Sequence, residues 1–125
     1  MAEDSFELQP EEARLLLNIA MMATGRNLFR SAATILAALE GFRPDSEQVA
    51  NAKVVLMLSM KQAELAVEYI RGQALAKWPE SGMLKAFLGM ALQQLGRNDE
   101  ANQALQEATA SSDPAAANLA RGLLN

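Results

Sequence analysis

This chain is predicted to have an all-α fold of helix hairpins joined in series, and three observations carry that prediction. The first is a pattern of small and apolar residues, Leu88-Gly89, Leu92, Gly96, Ala101, Leu105 and Ala108, lying between Gly82 and Pro114. Its spacing suits two antiparallel helices: Gly89 and Ala101 fall where the pair approaches closely, Leu88, Leu92, Leu105 and Ala108 fill the seam, and Gly96 ends the first helix. The second is recurrence. Ala101 corresponds to Ala66 and Ala66 to Ala32, 35 and 34 residues apart, close to the roughly 34-residue period of stacked helical repeats. The third is composition, since half of the 125 residues are hydrophobic but only 5% are aromatic. Ala, Leu and Met dominate, and unbranched side chains lose little rotamer freedom in a helix.

The elements follow in order. Residues 1–9 read as a flexible acidic tail, and Pro10 suits the first turn of a helix, where its missing donor costs nothing. Helix one is expected to run to about Thr24 and helix two from about Leu28 to Glu40, with Gly41 through Pro44 breaking it. Helix three starts near Asp45 or Ser46, places Glu47 in its first turn and reaches Ser59. Helix four covers about Gln62 to Lys77. Trp78-Pro79 then turns the chain, because a residue before proline avoids the helical region. Helices five and six span about Glu80 to Leu95 and Asp99 to Ala110. Asp113 and Pro114 form a helix start, and a capping helix continues to the end of the chain.

The units so defined are about 11–44, 47–80 and 82–114, with the cap at 114–125, all in one domain from residue 10; Pro44, Pro79 and Pro114 close them. Upstream copies depart from the best one. Lys61 stands where the inter-helix glycine is expected, Asn18 and Val54 stand where Gly89 does, and the first turn, counted from Gly25 to Ala32, is two residues longer.

Composition narrows function. No Cys and no His occur, which removes disulfides, the thiol nucleophile, the usual zinc ligands and the commonest general base, so the chain is not expected to be an enzyme or to hold a cofactor or metal. The net charge of −4 and the scatter of eleven basic residues argue against nucleic-acid binding. Residues 1–14 lack the basic start and apolar core of a secretory signal, and the run Val54-Val-Leu-Met-Leu58 is far too short to span a membrane. A cytoplasmic location without membrane association is the expectation. Acidic neighbours such as Glu11 with Glu12, or Asp99 with Glu100, read as solvated faces, not acid–base pairs. Gly25-Arg26-Asn27 lacks the rest of a phosphate loop. Trp78 reads as packed between hairpins.

What remains is apolar surface. Helix three is apolar nearly all round through Val54, Val55, Leu56, Met57, Leu58 and Met60, and helix five is similar, so each needs covering on more than one side. The concave face of a hairpin array would be lined by Leu15, Ile19 and Met22 in helix one, Asn51, Val55 and Leu58 in helix three, and Met83, Phe87 and Met90 in helix five. Two readings stand: a thick core, or a trough that takes the apolar face of an amphipathic helix. Methionine suits the second, because its flexible thioether adapts to a partner.

These residues resemble the tetratricopeptide repeat, which implies three hairpins and a C-terminal capping helix in a right-handed solenoid with a concave groove. The first hairpin with its turn after Ala23-Thr24-Gly25, the acid-free groove and the close Ser111-Ser-Asp113-Pro114 leading to Arg121-Gly122 are similar to the small tetratricopeptide co-chaperones of bacterial type III secretion needle subunits. That resemblance implies a protein that holds the needle subunit monomeric in the bacterial cytoplasm by gripping its amphipathic C-terminal helix in the groove. It also implies a second small helical co-chaperone against helices one and two. Alternatives are a chaperone of the pore-forming translocators of the same system, which grips an extended segment, and a homo-oligomeric adaptor that self-associates without a partner.

Overall fold

In the computed structural model, which describes residues 7–124, the chain forms helices and no strands among the described residues. They are α1 (Pro10–Gly25), α2 (Phe29–Phe42), α3 (Glu47–Ser59), α4, α5 (Gly82–Gln94), α6 (Asn98–Thr109) and α7 (Pro114–Leu123). Helix α4 starts as Ala63–Tyr69, passes through a π-helical turn at Ile70–Ala74 and ends in Leu75–Lys77. No helix among the described residues is long and apolar enough to cross a membrane.

Local chemistry sets the helix starts. Asp113 Oδ1 accepts the Ala115 N–H at 3.0 Å and Pro114 follows at the first helical position, as the sequence predicts. Ser46 Oγ accepts the Val49 N–H at 3.2 Å and starts α3. The same bond from the Leu84 N–H to Ser81 Oγ, at 3.2 Å, starts α5 two residues later than expected. Before α1, the Gln9 N–H donates to Glu12 Oε1 at 2.9 Å.

Three turns share one geometry. Asn27, Lys61 and Gly96 each adopt the left-handed conformation, with φ of 63°, 62° and 76°. The N–H of the next residue reaches back five positions each time: Leu28 to the Ala23 carbonyl at 2.8 Å, Gln62 to Met57 at 2.9 Å and Arg97 to Leu92 at 2.9 Å. These are Schellman closures, which satisfy helix-end carbonyls and favour a residue without a Cβ at the left-handed site. The turn residue lies five before Ala32, Ala66 and Ala101, each fully buried. The first turn is therefore no longer than the others. Asn27, not Gly25, matches Gly96, and Ala20, not the exposed Asn18, holds the place of Gly89.

The two periods differ by one residue, and the π turn accounts for it. Asn27, Lys61 and Gly96 are spaced 34 and then 35 apart (61 − 27 and 96 − 61). Before the π turn the buried column runs Leu36, Ile70, Leu105; after it the column runs Leu39, Ala74, Ala108, and the extra residue now falls between the first two members. The Leu75 N–H bonds to the Ile70 carbonyl, five residues back, so that turn absorbs one more residue than an α turn. The residues around it, Arg71, Gly72 and Gln73, are exposed.

Contacts divide the chain into two compact units, one up to Leu56 and one from Met57. In the first, Ala20 and Ala23 of α1, Ala32, Leu36 and Leu39 of α2, and Val49, Ala52 and Leu56 of α3 form the core. Lys53 Nζ on α3 meets Glu40 Oε2 on α2 at 2.8 Å. The N-terminal tail expectation falls mostly on residues outside the described ones, but its described part is anchored. Leu8 packs on this core and its carbonyl accepts Arg43 Nη2 at 2.7 Å.

In the second unit α4 packs on α5, and α5, α6 and α7 pack on one another around Ala86, Leu105, Ala108 and Ala120. A Cβ on Gly89 would meet Leu105 Cδ2 and Cγ at 2.5 Å and the Ala101 carbonyl oxygen at 3.3 Å, so this glycine is required by close helix approach. A Cβ on Gly82 would collide with the Ser111 side chain and meet Ala116 Cβ at 3.2 Å, while Gln93 Nε2 donates to the Leu123 carbonyl at 2.8 Å. Helices α5 and α7 thus run parallel, with α6 antiparallel to both.

Candidate functional site

The shared turns fix which residues are equivalent, and this sorts the nine candidate groove residues. Counting from Asn27, Lys61 and Gly96, the set Asn51, Val55 and Leu58 of α3 matches Leu17, Met21 and Thr24 of α1 and Ala86, Met90 and Gln93 of α5. Of the nine, only Val55 and Met90 hold the same place. Leu15, Ile19 and Met22 are two residues out of that column, because the left-handed turn residue is Asn27 and not Gly25. Met83 and Phe87 lie in neighbouring columns.

In the first unit, Leu15, Ile19 and Met22 form an outward stripe at i, i+4 and i+7 of α1, with 60%, 40% and 58% of their surface exposed. Their equivalents are covered. In α3, Val49 and Leu56 belong to the core with α1 and α2 while half-buried Lys53, the equivalent of Ile19, pairs with Glu40 of α2; Leu84, Leu88 and Ala91 of α5 are 0%, 6% and 0% exposed, on the helix against which α4 packs. Half-buried Asn51 and Val55 occupy a different side of α3. Asn51 Oδ1 is buried and has no hydrogen-bond partner among the described residues, a condition that ordinarily costs about 1–3 kcal/mol.

In the second unit, Met83, Phe87 and Met90 form a half-buried stripe along α5 beside the sealed Leu84 and Leu88. Leu58 is buried at the end of α3 and acts as core, so it is not available to a partner in this state. Trp78 is half-buried, with Lys77 Nζ 5.7 Å from its ring centroid.

Sequence reasoning missed several exposed apolar side chains, among them Leu28, Phe42 and Leu65, and placed the exposed Met60 in helix three. Leu28 and Met60 belong to turns, where helical periodicity gives no signal. It also missed the electrostatic centre of the second unit. Arg97 bonds Glu100 through Nε at 2.9 Å and Nη2 at 3.0 Å, and Arg71 Nη2 bonds the same carboxylate at 3.0 Å, joining α4 to α6. Hydrogen bonds from Arg97 and then Arg71 hold the Glu100 carboxyl below its ordinary range. The same contact raises the Arg97 pKa.

Comparison with protein-family models, with curated proteins and with solved structures finds no match to this chain.

Proposed function

We propose that this chain is a non-enzymatic, helix-binding protein of the tetratricopeptide kind, acting as the needle-subunit co-chaperones it resembles act. In this reading it keeps a type III secretion needle subunit monomeric in the bacterial cytoplasm by gripping the apolar face of that subunit's C-terminal helix. A second small helical co-chaperone docks on the first hairpin. Met83, Phe87 and Met90 are the anchors.

The repeat assignment is supported by three identical Schellman turns and by alanine at the same place in every hairpin. The helix-binding assignment rests on one observation, the half-buried stripe Met83, Phe87 and Met90. Its i, i+4, i+7 spacing complements the anchors of an amphipathic helix. Burying three such side chains further contributes on the order of 1 kcal/mol each before ordering costs, and the two methionines adapt to a partner's shape.

The test is co-expression with the needle subunit of the same organism. Wild type is expected to hold the subunit in a small soluble complex, while Phe87→Asp loses it and keeps its helical circular dichroism. A needle subunit that polymerises unhindered beside the wild-type protein would refute this function.

A further inference from the structure

We propose that the Leu15, Ile19 and Met22 face of α1 is a self-association surface on which a second copy of this chain lies antiparallel, α1 against α1. The inference goes beyond the function proposed above and concerns the chain alone, so its test needs no needle subunit.

The repeat register gives the first reason. At the matching places in α3, Val49 and Leu56 lie in the core with α1 and α2 and Lys53 pairs with Glu40 of α2; in α5, Leu84, Leu88 and Ala91 are buried on the helix against which α4 packs, whereas on α1 the apolar residues stand open among the described residues. The side-chain chemistry is that of a helix–helix contact with one partner missing. Contiguous apolar surface of this kind marks association.

The ends of the stripe identify the occupant. Residues 11, 15, 18, 19 and 22 share one side of α1, a span of about 100° at 3.6 residues per turn, and Arg26 caps the helix just beyond that stripe. Glu11 stands at one end and Arg26 at the other, both exposed, and the four residues between are uncharged. A copy laid antiparallel with its dyad between Asn18 and Ile19 sets Leu15 against Met22 of the other copy. The same dyad sets Glu11 against Arg26, twice by symmetry. A parallel copy would set Glu11 against Glu11 and Arg26 against Arg26. The surface is therefore self-complementary in the isologous sense that a two-fold dimer requires. Glu11 and Arg26 are about 22 Å apart along the helix, so one such face covers less than the roughly 800 Å² per partner of a standard interface. The dimer is accordingly weak and reversible, and a co-chaperone docking on α1 would compete with it.

Sedimentation velocity of the purified full chain, from about 5 to about 200 µM, tests this. Wild type is expected to shift from a 13.5 kDa monomer toward twice that mass. Ile19→Glu, which brings two carboxylates together at the dyad, should stay monomeric throughout with unchanged circular dichroism. Glu11→Arg or Arg26→Glu alone should weaken association about tenfold, and the double reversal should restore it to within about threefold. Each reversal opposes the helix dipole, so rescue cannot come from a more stable helix. A chain monomeric at every concentration would overturn the proposal. So would a dimer indifferent to Ile19→Glu, single reversals that the double does not rescue, or a wild-type monomer whose α1 face instead binds a different protein.

Discussion

Leu15, Ile19 and Met22 of α1 hold the same places in the repeat as Leu84, Leu88 and Ala91 of α5, yet the first three face outward while the second three are sealed. The helices do not differ in kind, since both carry apolar residues on more than one side. The difference is a neighbour. Helix α4 packs on α5, whereas among the described residues nothing equivalent covers that side of α1. An apolar pattern therefore specifies a face that can be buried, and chain topology decides whether it is.

The largest effect expected from this contrast comes from placing a charge at matched positions. Leu88→Asp buries a carboxylate against α4 and should unfold the chain or remove most of its stability, by about 4 kcal/mol or more. Ile19→Asp should cost less than about 1.5 kcal/mol, because two fifths of the residue is already exposed to water. Chemical denaturation of the two variants side by side is the check. Equal losses would mean that α1 is sealed as α5 is.

A second contrast sets α4 against α2. Deleting Gly72 removes the residue that the π turn absorbs, so the buried columns on both sides keep their register, and the melting temperature should stay within about 5 °C of wild type. Deleting Thr34 from α2 leaves no bulge to consume, rotates Leu36 and Leu39 by about 100° out of the core and should abolish folding. A chain that tolerates both deletions, or neither, would show that the π turn is not the site of the inserted residue.

The turns give a smaller effect. Gly96 takes the left-handed conformation freely, whereas Lys61 takes it with a Cβ, so Lys61→Gly should stabilise the chain by about 0.5–1 kcal/mol and Gly96→Ala should destabilise it by a similar amount. Thermal melts of both variants decide the point.

The least effect belongs to Glu100. Its carboxyl is held below the ordinary value, so its contribution is present above that value, 4.5, and is lost as pH falls through the lowered one. The group is exposed, so Glu100→Gln should lower the melting temperature slightly near pH 7, with the difference shrinking below pH 4.5 and vanishing in stronger acid. A difference independent of pH would assign the effect to something other than the Arg71 and Arg97 contacts.

Much of this architecture was legible in the residues. The buried alanines at 32, 66 and 101, the Asp113-Pro114 start and the close approach at Gly89 follow from size and capping alone, and helix limits fall within a residue or two of expectation. What was not legible has a physical cause in each case. Asn27 takes the left-handed turn two residues after a glycine that advertises one, so the sequence pattern places α1 two residues out of register. Nothing in Ile70-Arg-Gly-Gln-Ala74 announces a π turn; only the change of period from 34 to 35 points to one. Burial depends on which helix lies alongside, so Leu58 read as groove and is core, whereas Leu15 is open on a side that its equivalents keep closed.

The chain has no cysteine, so single cysteines report exposure directly. Thiol labelling of Ile19→Cys and Leu88→Cys, at dilution low enough to keep the chain monomeric, measures the contrast on which the account rests. Ile19→Cys, two fifths exposed, should react within about tenfold of a free thiol and Leu88→Cys at least about a hundredfold more slowly than Ile19→Cys, limited by opening of the fold. Equal rates at the two positions would contradict it.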